Sequence, residues 1–234
     1  MRFLKPLARR LTAKLTRPPL ERFLRAHATE AFTLDLGSSA GFYASMFPRR
    51  VSLDIRRVDG VQVVGDALDR CFADATFDTV LCTEVLEHLP DPQRGIDEMF
   101  RVLKDDGTLP LTTRFLFPIH DAPADYFRYT RYGLQHLLKR FVEMEIVEES
   151  DPMGAIAILL QRFGIQAETL GWRPLRLGWH LLAAVVRRLS FLITAQYGDF
   201  RGTPIAHAIM TSGYYVRARR PARPRPADVA LAAS

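Results

Sequence analysis

The strongest constraint on the fold is a strand, a turn of small residues, a short helix and a second strand between positions 32 and 54. Glycine at the end of a strand permits backbone conformations closed to other residues and lets a ligand approach the main chain. An acid that ends the second strand can accept hydrogen bonds from both hydroxyls of a ribose. The pattern therefore predicts a pocket for a nucleoside-bearing cofactor, built on Asp35, Gly37, Ser39, Gly41 and Asp54.

Strand and helix signals alternate along most of the chain. This alternation predicts a parallel β-sheet with helices on both faces. Ligands of such sheets bind at the carboxyl ends of the strands, where Asp35, Asp54, Asp66 and Thr83 fall. The predicted strands are 32–36, 50–54, 61–65, 79–83, 108–113, 141–148 and 214–219, and the helices between them are 41–47, 92–103 and 131–140.

Composition is that of one soluble domain with elaborations, because 234 residues are 48% hydrophobic and 25% charged. The two cysteines, Cys71 and Cys82, fit neither a disulfide framework nor a metal cluster. A reduced, cytoplasmic protein is the resulting expectation.

Charge is divided unevenly along the chain. Residues 30–151 hold 22 acids and 13 bases, whereas the two flanks together hold 4 acids and 19 bases. Basic flanks indicate an anionic partner, either a membrane surface or a nucleic acid, or they only keep the chain soluble. A peripheral position at the inner membrane face is one expectation from this pattern.

The two ends are predicted to lie outside the sheet domain, which spans 32–219. Leucines at 4, 7, 11 and 15 share one helical face and form no continuous apolar core, so no secretory signal is predicted. This amphipathic helix would lie on a surface or pack on the domain, would stop at Pro18-Pro19, and would be followed by a helix over 21–31. The Arg/Pro/Ala-rich tail 220–234 is predicted to be disordered.

An insert at about 152–212 interrupts the alternation before the last strand. Its apolar stretches, 155–163 and 177–194, predict helices. Arg187 and Arg188 interrupt the second stretch, so it is too short to span a bilayer. A lid over the substrate, an interfacial helix and an extra core helix remain three alternatives.

Several blocks resemble the class I S-adenosylmethionine-dependent methyltransferases, in the type 11 small-molecule branch. Asp35–Gly41 resembles the family's acid-x-Gly-x-Gly-x-Gly turn, with Ser39 at the middle glycine. Phe77–Pro92 resembles its fourth-strand signature, and Arg101–Gly107 resembles its Arg-Val-Leu-Lys-Pro-Gly-Gly turn. The resemblance implies a Rossmann-like, doubly wound α/β fold with a mostly parallel seven-stranded sheet and a helical insert before the last strand.

The resemblance also implies the cofactor, S-adenosyl-L-methionine, and its product S-adenosyl-L-homocysteine. The turn backbone would contact the methionine part, Asp54 the ribose hydroxyls and Asp66 the adenine amino group. The full predicted set is Asp35, Leu36, Gly37, Ser38, Ser39, Gly41, Asp54, Ile55, Gly65, Asp66, Ala67, Cys82, Thr83 and Glu84.

The segment after the fifth strand, 117–130, resembles the "His-Asp…Asp-Tyr-x-Arg-Tyr-Thr" segment of type 11 relatives, which often modify sugars or glycolipids. His120 is the predicted general base, or else it orders the loop. Arg128 would hold an anionic substrate group or form a salt bridge to Asp125 or Asp121. Tyr126 and Tyr129 would stack on the substrate or pack internally; the predicted substrate residues are thus Asp121, Tyr126, Arg128 and Tyr129.

Three further residues lie near the predicted binding site of the substrate. Pro110 within the fifth strand suits an edge or bulge, and Arg114 stands where relatives usually have proline. His88 would order the turn after the fourth strand, or it would hold a site residue in place without contacting the substrate. No His, Asp and Glu cluster has metal-ligand spacing in the sequence, so a metal-independent enzyme is predicted.

These expectations combine into one function with open alternatives. The chain is predicted to move a methyl group to an O or N atom of a small-molecule acceptor, possible classes being glycans and lipid-linked compounds. A nucleic-acid methyltransferase that uses the basic flanks and a catalytically degenerate partner protein are the alternatives. A dinucleotide enzyme is disfavoured because Gly37-x-x-x-Gly41 departs from Gly-x-Gly-x-x-Gly.

Overall fold

Seven strands form one sheet in the computed structural model, which describes residues 13–37, 43–171, 173–193, 196, 205, 207 and 209–223. The strands are β1 (Thr33–Leu36), β2 (Arg50–Asp54), β3 (Val63–Val64), β4 (Phe77–Thr83), β5 (Leu103–Arg114), β6 (Val142–Glu148) and β7 (Gly213–Arg219). Their spatial order is β3-β2-β1-β4-β5-β7-β6.

The first five strands run parallel, and β7 lies antiparallel between β5 and β6. Chain order reverses between the neighbouring strands β1 and β4, because β1 leads outward to β2 and β3 whereas β4 leads to β5. Such a reversal leaves a crevice at the carboxyl ends of the two strands. The sheet confirms the predicted doubly wound α/β class.

Within the described ranges, five α-helices connect these strands or extend from them: α1 (Arg17–Ala26), α2 (Pro92–Val102), α3 (Arg131–Leu137), α4 (Pro152–Thr169) and α5 (Arg173–Arg188). Aspartate caps α2 and α4, since Asp91 accepts from the Arg94 N–H and Asp151 from the Gly154 N–H. Among the described residues, no helix has both the length and the apolar character needed to cross a bilayer.

The helix predicted over 21–31 begins earlier and ends earlier than expected. It starts at Arg17 and ends at Ala26, with Pro18 and Pro19 in its first turn. Proline is tolerated there because the first N–H groups of a helix need no intrahelical partner. Of the four leucines on the predicted first helix, only Leu15 belongs to the described residues.

Two other local predictions also differ from the structure. The helix predicted over 41–47 is a short 3₁₀ helix at Ala44–Met46, and residues 41–42 lie outside the described residues. Pro110 lies inside the central strand β5, opposite Arg217 of β7, and not at an edge. The expectation of an edge or bulge was wrong because strands on both sides hold this position, at the cost of one main-chain donor.

Apolar side chains cover both faces of the sheet. On one face α1 packs Leu20 and Leu24 in a cluster with Phe47, Leu81 and Tyr215. The larger cluster includes α2 and α3 through residues such as Ile96, Met99 and Leu134. The sheet is therefore buried on both faces, as its apolar strands require.

The insert forms a helical hairpin of α4 and α5, which have extensive contacts with each other. Gln161 of α4 connects it to the start of the chain, because its side-chain amide donates to Ala13 O at 2.8 Å and accepts from the Leu15 N–H at 3.0 Å. The predicted helical character of 155–163 and of the first part of 177–194 is confirmed.

The ordered chain extends at least to Arg220, where the disordered tail was expected to begin. The Arg220 side chain is buried and donates to main-chain carbonyls of Phe100 and Leu103 at the end of α2. Residues 224–234 lie outside the described residues.

Leu24→Ala should destabilise the protein by about 3 kcal/mol, because Leu24 is fully buried between α1 and the sheet. Urea unfolding followed by circular dichroism would measure the change. Leu177→Ala is the matched control, since Leu177 of α5 is 45% exposed and its loss should cost less than about 0.5 kcal/mol. Equal stability of the two variants would contradict the packing of α1 on the sheet.

Candidate functional site

The turn that leaves β1 borders the crevice between β1 and β4. Gly37 has φ +69°, and its N–H donates to Leu53 O of β2 at 2.8 Å. A Cβ at this position would lie 2.3 Å from Cγ2 of Val85. Glycine is thus required by both the backbone conformation and the available space. Ser38, Ser39 and Gly41, predicted to contact the cofactor, lie outside the described residues.

Asp54 ends β2 at the same edge of the sheet. Its carboxylate is buried, and Oδ1 accepts from the Arg56 N–H at 2.9 Å. The adjacent Ile55 is 67% exposed, so the strand end faces open space. The structure thus places Asp54 at the end of β2, and its binding of the ribose hydroxyls stays a prediction.

The residues after β3 lie beside Asp54. The Gly65 N–H donates to Asp54 O at 3.0 Å, and Oδ1 of Asp66 accepts from the Leu68 N–H at 2.9 Å. Asp66 and Ala67 belong to the lining of a pocket whose other walls are mainly apolar, with Leu36 and Leu53 among them. The structure thus brings the predicted adenine-side residues next to an apolar pocket.

Two predicted cofactor residues have their side chains engaged elsewhere. Asp35 lies 3.5 Å from the Arg50 guanidinium of β2. Cys82 is fully buried in the apolar core, and burial raises the pKa of its thiol far above the usual value. The Cys82 side chain therefore contributes to packing, and only its main chain borders the crevice.

Glu84 begins a buried charge network at the end of β4. Its backbone has φ +56°, and its carboxylate accepts from Thr112 Oγ1 at 2.9 Å and pairs with the Arg114 guanidinium. Arg114 also donates to Glu149 at 2.7 Å, and Glu149 accepts from the Tyr215 hydroxyl at 3.0 Å. Burial raises the pKa of Glu84 to about 7. No motif in the sequence marks Glu149 as part of this network.

The acceptor segment 117–130 is held in shape by Arg128. Its guanidinium donates to both carboxylate oxygens of Asp125, at 2.6 and 2.7 Å, and to the carbonyls of Phe117, Pro118 and Phe127. An arginine has five N–H donors, and these contacts use all of them. Arg128 is therefore committed to the salt bridge that was one of its two predicted roles.

His120 lies against this salt bridge. Its main-chain N–H donates to Oδ2 of Asp125 at 2.8 Å, and its Nδ1 lies 3.3 Å from the same oxygen. Burial lowers the pKa of the imidazole, and the Asp125 carboxylate opposes this effect in part. The ring is therefore neutral at pH 7, with one nitrogen available to the site.

The two predicted substrate tyrosines differ in position. Tyr129 is buried and its hydroxyl donates to Leu86 O at 2.9 Å, so it packs under the segment. Tyr126 is 51% exposed, and Asp121 is also exposed. Tyr126 and Asp121 are thus the two predicted substrate residues with accessible side chains.

Arg162 reaches the acceptor segment from the insert and was not predicted. Its guanidinium lies over the Phe117 ring, 4.2 Å from the centroid, and Arg114 lies 4.4 Å from the same ring. Within the described part of the chain, no hydrogen-bond acceptor or ion-pair partner contacts Arg162, and burial lowers its pKa. The signal in the sequence is an arginine inside the apolar stretch 155–163.

A further group combines Glu87 and His88, from the 3₁₀ helix Leu86–His88 after β4, with His120 of the acceptor segment. One potential ligand atom of each residue lies within 4.8 Å of the others. The rings of His88 and His120 are 4.8 Å apart between centroids in an edge-to-face arrangement. Sequence spacing could not reveal this group, because His120 is distant in the chain.

Part of the chain is similar in sequence to known methyltransferases. Residues 34–111 match the family model described as a methyltransferase domain. An uncharacterized methyltransferase of Mycobacterium sp. (strain KMS) is 36% identical over 123 residues, covering 42% of this chain and 49% of that protein. The 2-methyl-6-phytyl-1,4-hydroquinone methyltransferase 1 of Oryza sativa subsp. japonica is 41% identical over 108 residues, covering 46% of this chain and 30% of that protein.

Solved structures share the fold. A SAM-dependent methyltransferase from Archaeoglobus fulgidus has a TM-score of 0.53 at 12% identity, covering 86% of this chain and 90% of that one. The [4+2]-cyclase SpnF has a TM-score of 0.52 at 19% identity, covering 88% and 81%. Likeness at these identities concerns architecture only, since one fold serves several chemistries.

The chain spans about half or less of the length of the curated relatives it matches. The matched region 34–111 runs from β1 into β5 and contains the turn at Gly37, the strand end at Asp54 and the charged residues after β4. Residues 34–111 thus match the methyltransferase domain in sequence, and the doubly wound sheet has the architecture of solved SAM-dependent methyltransferases.

Proposed function

We propose that this protein transfers the methyl group of S-adenosylmethionine to an O or N atom of a small-molecule acceptor. The observation that carries the proposal is the crevice at the β1–β4 reversal, where the Gly37 turn and the buried Asp54 carboxylate meet. When bound, the cofactor supplies a methyl group already activated on a sulfonium. The protein then has to align the acceptor with that methyl group and exclude water.

Cofactor binding is assigned to the residues around this crevice. Asp54 would accept hydrogen bonds from the ribose hydroxyls, while Asp66 and the apolar pocket beside it would hold the adenine. Glu84, which follows β4, places a carboxyl group beside the proposed position of the amino and sulfonium groups of the cofactor. The small turn at Gly37 leaves room for the methionine part.

Asp54→Asn should weaken binding of S-adenosylmethionine and S-adenosylhomocysteine by about 10- to 100-fold, since one of two ribose-facing acceptors becomes a donor. Isothermal titration of the purified protein with both ligands would measure the change. Asp59→Asn, an exposed carboxyl in the loop after β2, is the matched control and should bind as the wild type does. Thermal unfolding of both variants separates a binding effect from a folding effect.

Two results would overturn the cofactor proposal. Unchanged affinity in a folded Asp54→Asn protein would remove the ribose assignment. Failure of the wild-type protein to bind either ligand would favour the alternative of a catalytically degenerate partner protein.

The acceptor is proposed to bind between the segment 117–130 and α4. Arg162 is the candidate for an anionic group of the acceptor, such as a phosphate or carboxylate, because its guanidinium is oriented by Phe117 and has no carboxylate partner in the described part of the chain. This role was predicted for Arg128, whose N–H groups are all engaged. In this proposal the insert acts as a lid, through α4.

His120 is proposed to activate the acceptor. A neutral imidazole at pH 7 can take the proton of an acceptor hydroxyl as the methyl group is transferred. The lowered pKa keeps the ring deprotonated near neutrality, and the Asp125 carboxylate fixes its position. This is the general-base role that the sequence predicts.

The imidazole of His120 should titrate with a midpoint below its ordinary pKa of 6.5, because burial disfavours the charged form. Two-dimensional NMR of the histidine side chains across pH 4.5–8.5 would measure this, with His120→Gln to assign the signal. Asp125→Asn should lower the midpoint further, since the carboxylate favours the imidazolium. A midpoint above pH 7 would contradict the base role at neutral pH.

We further propose that the acceptor is lipid-linked and that the protein methylates it at an anionic membrane surface. Helix α5 exposes a set of large apolar side chains next to two exposed arginines, Arg187 and Arg188. Apolar side chains with adjacent arginines favour the interface of an anionic bilayer. One curated relative is named for a hydroquinone with a phytyl chain. The exposed apolar residues are Leu175, Leu177, Leu181, Leu182 and Val185.

The protein should sediment with vesicles containing phosphatidylglycerol at low salt, less so at high salt, and little with phosphatidylcholine alone. Leu181→Glu/Leu182→Glu should abolish sedimentation, because it adds negative charge to the exposed face of α5. Val147→Glu on the edge strand β6, where Val147 is 45% exposed, is the matched control and should retain it. A wild-type protein that stays in solution at low salt would end the membrane proposal.

A further inference from the structure

Three side chains beside the crevice form a set of metal-ligand types. Glu87 offers a carboxylate oxygen, and His88 and His120 each offer an imidazole nitrogen, all within 4.8 Å of one another. Two imidazoles and one carboxylate are a common ligand set for divalent transition metals. We propose that Glu87, His88 and His120 bind one divalent transition-metal ion, which in turn binds the acceptor of methyl transfer.

The contacts of the His88 and His120 rings leave imidazole nitrogens free to bind a metal. His88 Nδ1 lies 2.5 Å from Ala124 O and must donate to it, so Nε2 carries the lone pair. His120 Nδ1 lies 3.3 Å from the Asp125 carboxylate without forming a hydrogen bond to it, so its ring nitrogens are open to a ligand. Metal-binding histidines usually donate their other ring N–H to a carbonyl or carboxylate, as His88 does.

The carboxylate of Glu87 provides an independent indication. The residue is fully buried; Oε2 accepts from Thr113 Oγ1 at 2.8 Å, while Oε1 has no hydrogen-bond partner among the described residues. Leaving a buried carboxylate oxygen unpaired is costly. Arg114 and Arg128 favour the charged form of Glu87 from a distance, but neither donates a hydrogen bond to Oε1, since Arg114 is paired with Glu84 and Glu149 and Arg128 with Asp125. A bound cation would satisfy this oxygen.

The size of the group allows a metal ion after a small adjustment. Metal bonds of about 2.0–2.2 Å place neighbouring ligand atoms about 3.5 Å apart in a tetrahedral site. The widest pair here, up to 4.8 Å apart, must therefore close by about 1 Å. His120 can supply this movement, because it lies in a loop and its side chain is 23% exposed.

Ligand chemistry selects the class of metal. Imidazole ligands favour ions such as Zn²⁺, Ni²⁺ and Cu²⁺, whereas Mg²⁺ and Ca²⁺ prefer sites made of oxygen atoms. Three protein ligands leave at least one coordination position for another molecule, as in catalytic metal sites. The sequence expectation of metal independence rested on spacing alone, which does not report residues brought together by folding.

This inference rests on the proposed methyltransferase function and specifies how the acceptor is activated. A hydroxyl bound to the metal has a lowered pKa and releases its proton to solvent. Its oxygen then forms the bond to the methyl carbon while the carbon–sulfur bond breaks and sulfur keeps the electron pair. When the metal is bound, His120 holds the ion, and this role replaces the general-base role proposed above for its imidazole.

Metal binding can be tested without the acceptor. Protein treated with EDTA and dialysed should bind one equivalent of Zn²⁺ in isothermal titration, and bind Mg²⁺ at least 10-fold more weakly. His88→Gln and His120→Gln should each weaken Zn²⁺ binding at least 10-fold. His136→Gln is the matched control, because His136 is exposed on α3 outside the group. Titration with Co²⁺ followed by visible absorption gives a second readout on the wild-type protein.

Titration with S-adenosylhomocysteine separates this inference from the proposed function. If the metal site and the methyltransferase function are both correct, His88→Gln and His120→Gln bind S-adenosylhomocysteine as the wild type does and show similar thermal unfolding. Equal Zn²⁺ affinity in the wild type and both variants would overturn the metal site and leave the methyltransferase proposal intact. Binding of Zn²⁺ without binding of the cofactor product would instead overturn the proposed function.

Discussion

The buried guanidinium of Arg114 is the interaction on which the arrangement around the crevice depends. It lies at the end of the central strand β5, between Glu84 after β4 and Glu149 after β6. A buried charge is stable only with its partners, and removal of one partner leaves an uncompensated charge. Through Glu149 the network continues to Tyr215 of β7, so one cation connects four strands. The cofactor side of the sheet and its antiparallel edge are therefore held together.

The acceptor segment is held against the same strand ends by main-chain and side-chain hydrogen bonds. The Tyr126 N–H donates to Glu87 O and the Tyr129 hydroxyl to Leu86 O, both in the turn after β4. Arg128 then closes the segment on itself through Asp125. Glu87, which contacts this segment, follows Glu84 by only three residues. The side chains proposed to bind the acceptor therefore lie close to the proposed position of the cofactor. Proximity of this kind is the main requirement for methyl transfer.

The insert is a helical hairpin that lies outside the alternating strands and helices of the sheet. A helical hairpin beside a constant sheet can change without disturbing the core, which is why one fold serves many acceptors. Here α4 contributes Arg162 to the acceptor side, and α5 exposes an apolar face. The α4–α5 hairpin thus carries both the arginine proposed to bind the acceptor and the apolar face proposed to contact a membrane.

Local sequence patterns are enough to predict the doubly wound sheet, most of its strands and the Gly37 and Asp54 positions, because periodicity and turn chemistry are local properties. They do not give the start of α1 or the central position of the Pro110 strand, which depend on distant parts of the chain. The pairing of charged side chains is a property of the folded structure. Folding engaged Arg128 with Asp125, brought Arg162 to Phe117, and placed His120 beside Glu87 and His88. Such pairings depend on chain crossings between residues far apart in sequence, and no local pattern encodes them.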